Sequence, residues 1–299
     1  LLRLEAEQRV FDIAGVKVGG IPGRDPTVLI GTIFYKRQRI VKDDKRGVFN
    51  EEKAEEFIKI QEEFSDKTGN PSMLDVEGAT PEALRRYLDF AASITDIPLL
   101  LGGPTPEVRI EALRWVEESG LTNRVVYNSL LPGCGREELK VIRDTGVESA
   151  VLLAYNVADL TSTGRIRVLQ ELLDVIGEYG IRKPLLDTFV MDVPSLGIAL
   201  EALSEAKSKF GLPSGCGPHN AIGLWRGLKR KMGLKALRPA VAAVNVFAAA
   251  HGADFLLYGP IEGAPYVFPA VAMVDAAYAF PAMRRGVRLS RVHPLFKIP

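Results

Sequence analysis

The ten residues SGCGPHNAIG (214–223) place His219 and Asn220 directly after Gly215, Gly217 and Pro218, a composition that lets a backbone approach a flat ligand closely. Short polar groups end other apolar runs in the same way. Asp75 and Glu77 end SMLDVEG, Gly102 and Gly103 end IPLLLGG, and Asn128 and Ser129 end RVVYNSL; Asn156 ends SAVLLAYN, Asp187 lies in KPLLDTFV, and Tyr258 and Glu262 lie around DFLLYGPI. Amides and carboxylates dominate this set, and His219 is its one histidine. A hydrolase would need a nucleophile paired with its base, and the chain has no Gly-x-Ser-x-Gly pattern. Close-spaced metal ligands such as His-x-His or Cys-x-x-Cys are also missing, so no metal is expected. GIPGRDP (20–26) and LGGPTPE (101–107) lack phosphate-loop spacing, although the second offers a helix N-terminus to an anion.

The elements that must hold these residues follow from eight apolar runs at 28–35, 72–78, 97–103, 124–130, 149–156, 183–190, 214–220 and 254–261, each followed by helical periodicity. Helix starts are well marked. Asn50 precedes Glu51 and Glu52 with Gly69 as the stop, and Thr-Pro-Glu opens both 80–94 and 105–120. Eight strand–helix units in 299 residues predict a single (β/α)8 TIM barrel covering 1–299. Residues 1–27 form an N-terminal capping segment, with FDIAGVKVGG as a short hairpin at the barrel's bottom. Residues 221–240 read as one broken helix or two. The basic face there, Arg226, Lys229, Arg230 and Lys231, suits solvent, an acidic partner or a polyanionic cofactor tail. In a barrel of this type, groups at the C-terminal ends of strands form the site.

A lone strand-end Asn or Asp ordinarily caps the next helix. Asn128, Asn156, Asp187 and Asn220 converging on one mouth argue instead for a polar ligand. A flat heterocycle bearing donors and acceptors suits them, because a carboxylate such as Asp187 accepts two parallel N–H bonds, as from the 2-amino-4-oxo edge of a pterin. Composition narrows the class without naming the ligand. With 38 Lys plus Arg against 37 Asp plus Glu, nothing points to nucleic acid or an anionic membrane. Two cysteines and a charged N-terminal stretch suggest a cytoplasmic protein. The longest apolar stretch, read at 239–250, is too short to cross a bilayer.

The segments FDIAGVKVGGIPGRDPTVLIGTIFY (11–35), GVFNEEKAEEFIKIQEEFSDKTGNP (47–71), TPEALRRYLDFAASITDIP (80–98), YNS (127–129), GCGPHN (215–220) and DFLLYGPIEGA with FPAVAMVDA (254–276) together resemble one family, the H subunits of tetrahydromethanopterin S-methyltransferase. The resemblance covers nearly the whole chain. It implies a pterin-binding barrel of the dihydropteroate-synthase-like type that moves a methyl group between N5 of a tetrahydropterin and the cobalt of a corrinoid on a partner protein. The pterin would be tetrahydromethanopterin or tetrahydrofolate. By motif, Asn128 and Asp187 would hold the pterin edge with Asn156 beside them, and Asn220 would lie near N5 with His219 as a neighbouring proton source. One departure stands out: where the family typically has Asp-Ser-Thr at the end of the third strand, this chain has Gly102-Gly103-Pro104. Asp75 or Glu77 would then have to replace the missing carboxylate, or the chain would be a non-catalytic pterin- or partner-binding subunit. A zinc enzyme using Cys134, Cys216 and His219 is a further alternative. The resemblance also implies a corrinoid-carrying partner, a homodimer, and attachment to a membrane complex only through other subunits.

Overall fold

The structure, a computed structural model, describes residues 4–299. An antiparallel hairpin, β1 (Val10–Ile13) and β2 (Val16–Gly19), precedes the first barrel strand β3 (Val28–Ile33). The other barrel strands are β6 (Ser72–Glu77), β7 (Leu99–Gly102), β8 (Val125–Leu130), β9 (Ser149–Leu153), β10 (Lys183–Asp187), β11 (Ser214–Cys216) and β12 (Phe255–Pro260). They close in the order β3-β6-β7-β8-β9-β10-β11-β12, and every pair is parallel. The predicted (β/α)8 barrel and its separate hairpin are therefore present. Between β3 and the first helix runs a small antiparallel pair that the sequence reading did not anticipate, β4 (Val41–Asp43) and β5 (Val48–Phe49). Asp43 builds its turn, the carboxylate accepting the Lys45 and Arg46 N–H groups at 3.0 Å each.

The helices start where their caps say. Asn50 Oδ1 accepts Lys53 N–H at 3.0 Å to open α1 (Glu51–Thr68), and Gly69, at φ 79°, ends it. Thr80 Oγ1 accepts Ala83 N–H at 3.1 Å to open α2 (Pro81–Ile94). Thr105 precedes α3 (Pro106–Glu118) in extended geometry without a side-chain cap bond, so proline at the first position sets that start. The remaining crossovers are α4 (Arg136–Thr145), α5 (Ser162–Ile176) and α6 (Val193–Phe210). After β11 the chain forms the short α7 (His219–Gly223), one wide turn at Leu228–Met232, and α8 (Leu237–Ala250). Region 221–240 is thus a broken path rather than one helix. The last barrel helix, α9 (Ala264–Arg284), is followed by α10 (Pro294–Lys297).

The segment containing α9, Ile261–Arg284, is longer than the apolar stretch singled out from sequence, and by length and composition it could cross a membrane. It packs against α1, α8 and α10. Its Asp275 is buried and accepts from Thr27 Oγ1 at 3.0 Å and Asn70 Nδ2 at 2.6 Å, fastening the helix to the strand layer.

Strand alternation sorts side chains into two sets. Val28, Ile30, Met73, Leu100, Val126, Val151, Leu185, Phe255 and Leu257 form one apolar cluster inside the barrel, joined by Ile13 and Val18 of the hairpin. Leu74, Leu101, Tyr127 and Leu152 alternate with them and pack in a different cluster, toward the helices. The hairpin therefore supplies side chains to the barrel's own interior, and Lys183 Nζ donates to the Asp12 carbonyl at 2.9 Å.

Lys207 on α6 is fully buried and reaches Asp254 at 2.5 and 2.6 Å, while Asp254 also accepts Ser214 N–H at 2.9 Å. Lys207→Met would strand that carboxylate, and the expected loss is about 3–5 kcal/mol of unfolding free energy, read by urea denaturation. A loss under about 1 kcal/mol would show that the site relaxes or that the pair contributes little.

Candidate functional site at the barrel mouth

One alternation step above the apolar cluster, the inward positions turn polar or bare. They are Thr32, Asp75, Gly102, Asn128 and Asp187, with Glu77 a further step up on β6, and only β9 keeps an apolar residue there, Leu153 beside Asp187. Asp75 lies at the centre of the hydrogen bonding. Its Oδ2 accepts Thr32 Oγ1–H at 2.8 Å and its Oδ1 accepts Asn128 Nδ2–H at 3.0 Å. Burial nonetheless pushes its carboxyl up to about 6, against the pull of those two donors.

Glu77 accepts no hydrogen bond from any described residue. Burial and the neighbouring Asp75 charge push it up to about 8, with the Arg109 guanidinium opposing. Of the pair, Glu77, with no hydrogen-bond donor, is the carboxyl that more readily takes a proton, while the two donors on Asp75 favour its ionised form. The relation of Glu77 to Gly102 explains the departure seen in the sequence. A Cβ added to Gly102 would lie 2.5 Å from Glu77 Oε1 and 2.8 Å from its Cδ. The Glu77 carboxyl therefore fills the place that a side chain on the third barrel strand would take. Arg109 braces this corner, donating to the Gly103 carbonyl at 2.7 Å, to Tyr127 Oη at 2.9 Å and to Glu138 at 3.1 Å.

Across the mouth, Asp187 Oδ1 accepts the Phe189 N–H at 2.8 Å, and its second oxygen has no partner among the described residues. Burial pushes this carboxyl up to about 7; the Phe189 N–H and the Arg165 guanidinium work in the other direction. Arg165 donates to the Thr188 and Phe189 carbonyls at 2.9 and 2.8 Å, holding a turn in which Phe189 has φ 57°. The unpartnered oxygen is thereby held at a fixed place and available to an N–H donor.

His219 Nδ1 lies 2.8 Å from the Leu257 carbonyl, which can only accept, so Nδ1 carries the proton and Nε2 is left as an acceptor. Burial lowers its pKa, keeping the ring neutral at neutral pH. The expectation of His219 as a proton source is corrected on both counts. Its ring rests on Gly259, which has φ 102°; a Cβ there would lie 2.8 Å from His219 Cβ and Cγ. Gly259→Ala therefore combines backbone strain with overpacking and is expected to cost about 2–4 kcal/mol, read as a fall in Tm. An unchanged Tm would mean that the loop after β12 shifts freely.

Asn220 lies exposed on α7 and its side chain makes no internal hydrogen bond among the described residues, leaving the whole amide to a ligand. Gly217 faces it: a Cβ there would sit 3.3 Å from Asn220 Nδ2. Asn156 is placed differently from the expectation. Its Oδ1 accepts Ala158 and Asp159 N–H at 3.0 and 3.1 Å, so its carbonyl fastens its own loop. Tyr258 points to the helix layer and donates to Gln61 Oε1 at 2.7 Å. Glu262 ties down the loop after β3, accepting from Gln38 Nε2 at 3.1 Å. The proposed zinc set is not brought together, because Cys216 is buried in the layer between barrel and helices while Cys134 packs against a different cluster.

Sequence reading missed Thr32, Arg109 and Arg165. Thr32 could have been found, since it sits two residues beyond inward Ile30 on the same strand. The two arginines lie on helices with no local pattern to distinguish them from surface cations. Chemically, the mouth offers two adjoining buried carboxyls, Asp75 with two donors and Glu77 with none, a third carboxyl held opposite at Asp187, and the free amide of Asn220. A flat, nitrogen-rich ring that gains or loses a proton fits that arrangement.

Comparison with known proteins bears on the same point. Residues 6–290 match the family described as Tetrahydromethanopterin S-methyltransferase MtrH subunit. The H subunit of tetrahydromethanopterin S-methyltransferase from Methanopyrus kandleri is 42% identical over 90% of both chains, and that from Methanothermobacter thermautotrophicus is 38% identical over 100% of both. The H subunit of a putative mtx methyltransferase from Methanosarcina barkeri is 36% identical over 99% of each. Among solved structures, Yersinia pestis dihydropteroate synthase with a pterine-sulfa conjugate superposes with TM-score 0.62 at 16% identity, covering 90% of this chain and 99% of that one. Xanthomonas albilineans dihydropteroate synthase gives TM-score 0.60 at 20% identity, covering 92% and 98%. At those identities the structural likeness speaks to the barrel alone.

Proposed function

The chain belongs to the MtrH family of tetrahydromethanopterin S-methyltransferase subunits and is a methyltransferase, and from that premise we propose that it moves a methyl group between N5 of a tetrahydropterin and the cobalt of a corrinoid carried by a partner polypeptide. The relatives' names make them subunits, and by analogy this chain works with others; the chain itself has no Asp-x-His-x-x-Gly pattern for holding a corrinoid. Tetrahydromethanopterin is the pterin favoured by the relatives' names.

The carrying observation is the Glu77 carboxyl standing over Gly102. A methyl group leaves N5 without the bonding electron pair, which stays on nitrogen, and this is a poor leaving group until N5 gains a proton. Glu77 takes a proton more readily than Asp75 and sits where the family usually has its third-strand carboxylate. It is the proton donor in this reading, and Asp75, anchored by Thr32 and Asn128, keeps it protonated through like charge. Asp187 accepts N–H bonds from the pterin edge, Asn128 borders it, and Asn220 lies over N5. His219 serves by its shape and its neutral Nε2. Gly102 and Gly259 make room for the Glu77 carboxyl and the His219 ring, and Gly217 lets Asn220 lie close. In the reverse direction Glu77, once ionised, takes the proton back.

The test is isothermal titration with methyl-tetrahydromethanopterin and methyl-tetrahydrofolate, followed by single-turnover transfer to free cob(I)alamin. Micromolar binding of one pterin, with cobalt methylation seen spectroscopically, supports the assignment and names the pterin. Binding without transfer would favour the non-catalytic alternative, and no binding of either would overturn the pterin site.

A further inference from the structure

A cleft of 340 Å³ opens on the rim of the mouth immediately beside His219. Trp225, Leu228 and Tyr266 line its apolar side, and Arg226 and Lys229 line it as cations. Its position and charge follow from the broken path after β11. Once α7 ends at Gly223, the chain makes its wide turn at Leu228–Met232 instead of continuing as a helix. Leu228 is thereby buried while Trp225, Arg226 and Lys229 stay accessible.

Neither Arg226 nor Lys229 is in an ion pair among the described residues, unlike Arg109 and Lys207, which are paired with Glu138 and Asp254. From Lys207 to Ala253 the chain contains no Asp or Glu, although its overall net charge is only +1. Between Asn220 and Asn245 six cations, Arg226, Lys229, Arg230, Lys231, Lys235 and Arg238, follow one another with no acid among them. Glu262, whose charge reaches Tyr266, is anchored through Oε1 by Gln38 and Tyr35 and does not itself line the cleft. A cleft with aromatic walls, two free cations and no lining carboxylate is complementary to an anion carried on an apolar body.

We propose that this cleft is a binding site for a phosphate- or carboxylate-bearing small molecule, its anion between Arg226 and Lys229 and its apolar body against Trp225 and Tyr266. Two sources share that chemistry: the anionic far end of a ligand whose ring occupies the mouth, or a separate small anion. Only the first rests on the methyl-transfer reading.

Trp225 supplies the readout, since the chain's other tryptophan, Trp115, is buried on the inner face of α3. Phenyl phosphate is titrated by fluorescence, with benzyl alcohol as the neutral comparison. A saturable change is expected for phenyl phosphate alone, and it should vanish in Trp225→Phe. The double variant Arg226→Gln/Lys229→Gln should bind about tenfold or more weakly, as loss of charge-assisted bonds implies. Arg230→Gln/Lys231→Gln removes the same charge outside the cleft and should change the affinity by less than about twofold. Equal weakening by both pairs would reduce the effect to diffuse charge, and equal binding of benzyl alcohol would reduce it to apolar adsorption; either overturns the proposal. If the first double variant does not fold, competition in the unaltered protein decides. Inorganic phosphate must displace phenyl phosphate at an ionic strength where chloride does not.

Displacement by tetrahydromethanopterin but not by tail-less 6-methyltetrahydropterin assigns the anion to the ligand's own far end. If calorimetry shows tetrahydromethanopterin bound while phenyl phosphate stays in place, a separate anion is the occupant. Failure of tetrahydromethanopterin to bind at all would sink the methyl-transfer reading and leave the phenyl phosphate result standing.

Discussion

Glu77→Gln is expected to slow methyl transfer from the pterin by about 10²–10⁴-fold while leaving pterin affinity within a few-fold. The substitution is nearly isosteric and keeps the space over Gly102 filled, so it removes the transferable proton without opening a cavity. The pH profile of the unaltered protein should carry the same information. Donation requires the protonated form, so the rate of demethylation should fall as pH rises through about 8, where Glu77 ionises. Asp75→Asn removes the charge that raises Glu77, and the alkaline limb should then move to lower pH. A pH-independent Glu77→Gln rate equal to that of the unaltered protein would rule out Glu77 as the donor.

The contact between Glu77 and Gly102 permits a reciprocal experiment. Gly102→Asp alone should be harmful, because its Cβ would lie 2.5 Å from Glu77 Oε1. In Glu77→Ala that obstruction is gone, and adding Gly102→Asp returns a carboxylate to the third barrel strand. Partial recovery of the rate in the double variant, relative to Glu77→Ala, would demonstrate that the two positions serve one acid. Additive losses would mean that the carboxyl over Gly102 is a packing feature only.

Asp187→Ala is expected to weaken pterin binding by roughly 10- to 100-fold, the span for hydrogen bonds to a charged group. Asp187→Asn keeps the shape but loses the second acceptor and should fall between. Because the carboxyl sits at about 7 in the free protein, pterin affinity should drop about tenfold per pH unit below that value and level off above it. The sign follows from the ionised form being the one whose free oxygen accepts an N–H from the ring edge. Calorimetry across pH measures it, and a flat profile would show that Asp187 does not meet the ring edge.

All eight barrel strands could be located in the sequence because each is an apolar run, covered by the hairpin and neighbours within and by helices without. Their ends could not be placed as well. The run SAVLLAYN continues to Asn156, yet β9 stops at Leu153, where the chain turns and Ala154 N–H goes to the Asp187 carbonyl. β11 stops at Cys216, one residue before Gly217 and Pro218, and the proline has no N–H to extend a ladder. Those overruns led to the misplacement of Asn156, whose position two residues before its own turn suits an Asx bond. Tyr258 was misread for a different reason, since a strand-end residue can face either layer and only the register decides.

Of the site, Asp75, Asn128 and Asp187 were legible as residue types at strand ends, and Asn220 as the polar close of SGCGPHN, although it lies on α7. Their charge states were not, because burial raises Asp75, Glu77 and Asp187 and burial is a property of the closed barrel. Gly102 was visible only as a missing carboxylate. That a side chain from the neighbouring strand occupies its space is a fact about β6 and β7 together, beyond what either segment carries alone.

With Ile13 and Val18 plugging the barrel from below, the mouth is the end of a cul-de-sac. A pterin seated among Asp75, Asp187 and Asn220 has one way in and the same way out. Any reactant large enough to lie across the rim then imposes a queue: the small ligand must arrive first and cannot depart until the large one lifts away. Turnover on such a scaffold is compulsory in order, and the dissociation of the large reactant sets a ceiling on its rate, however fast the bond exchange beneath it.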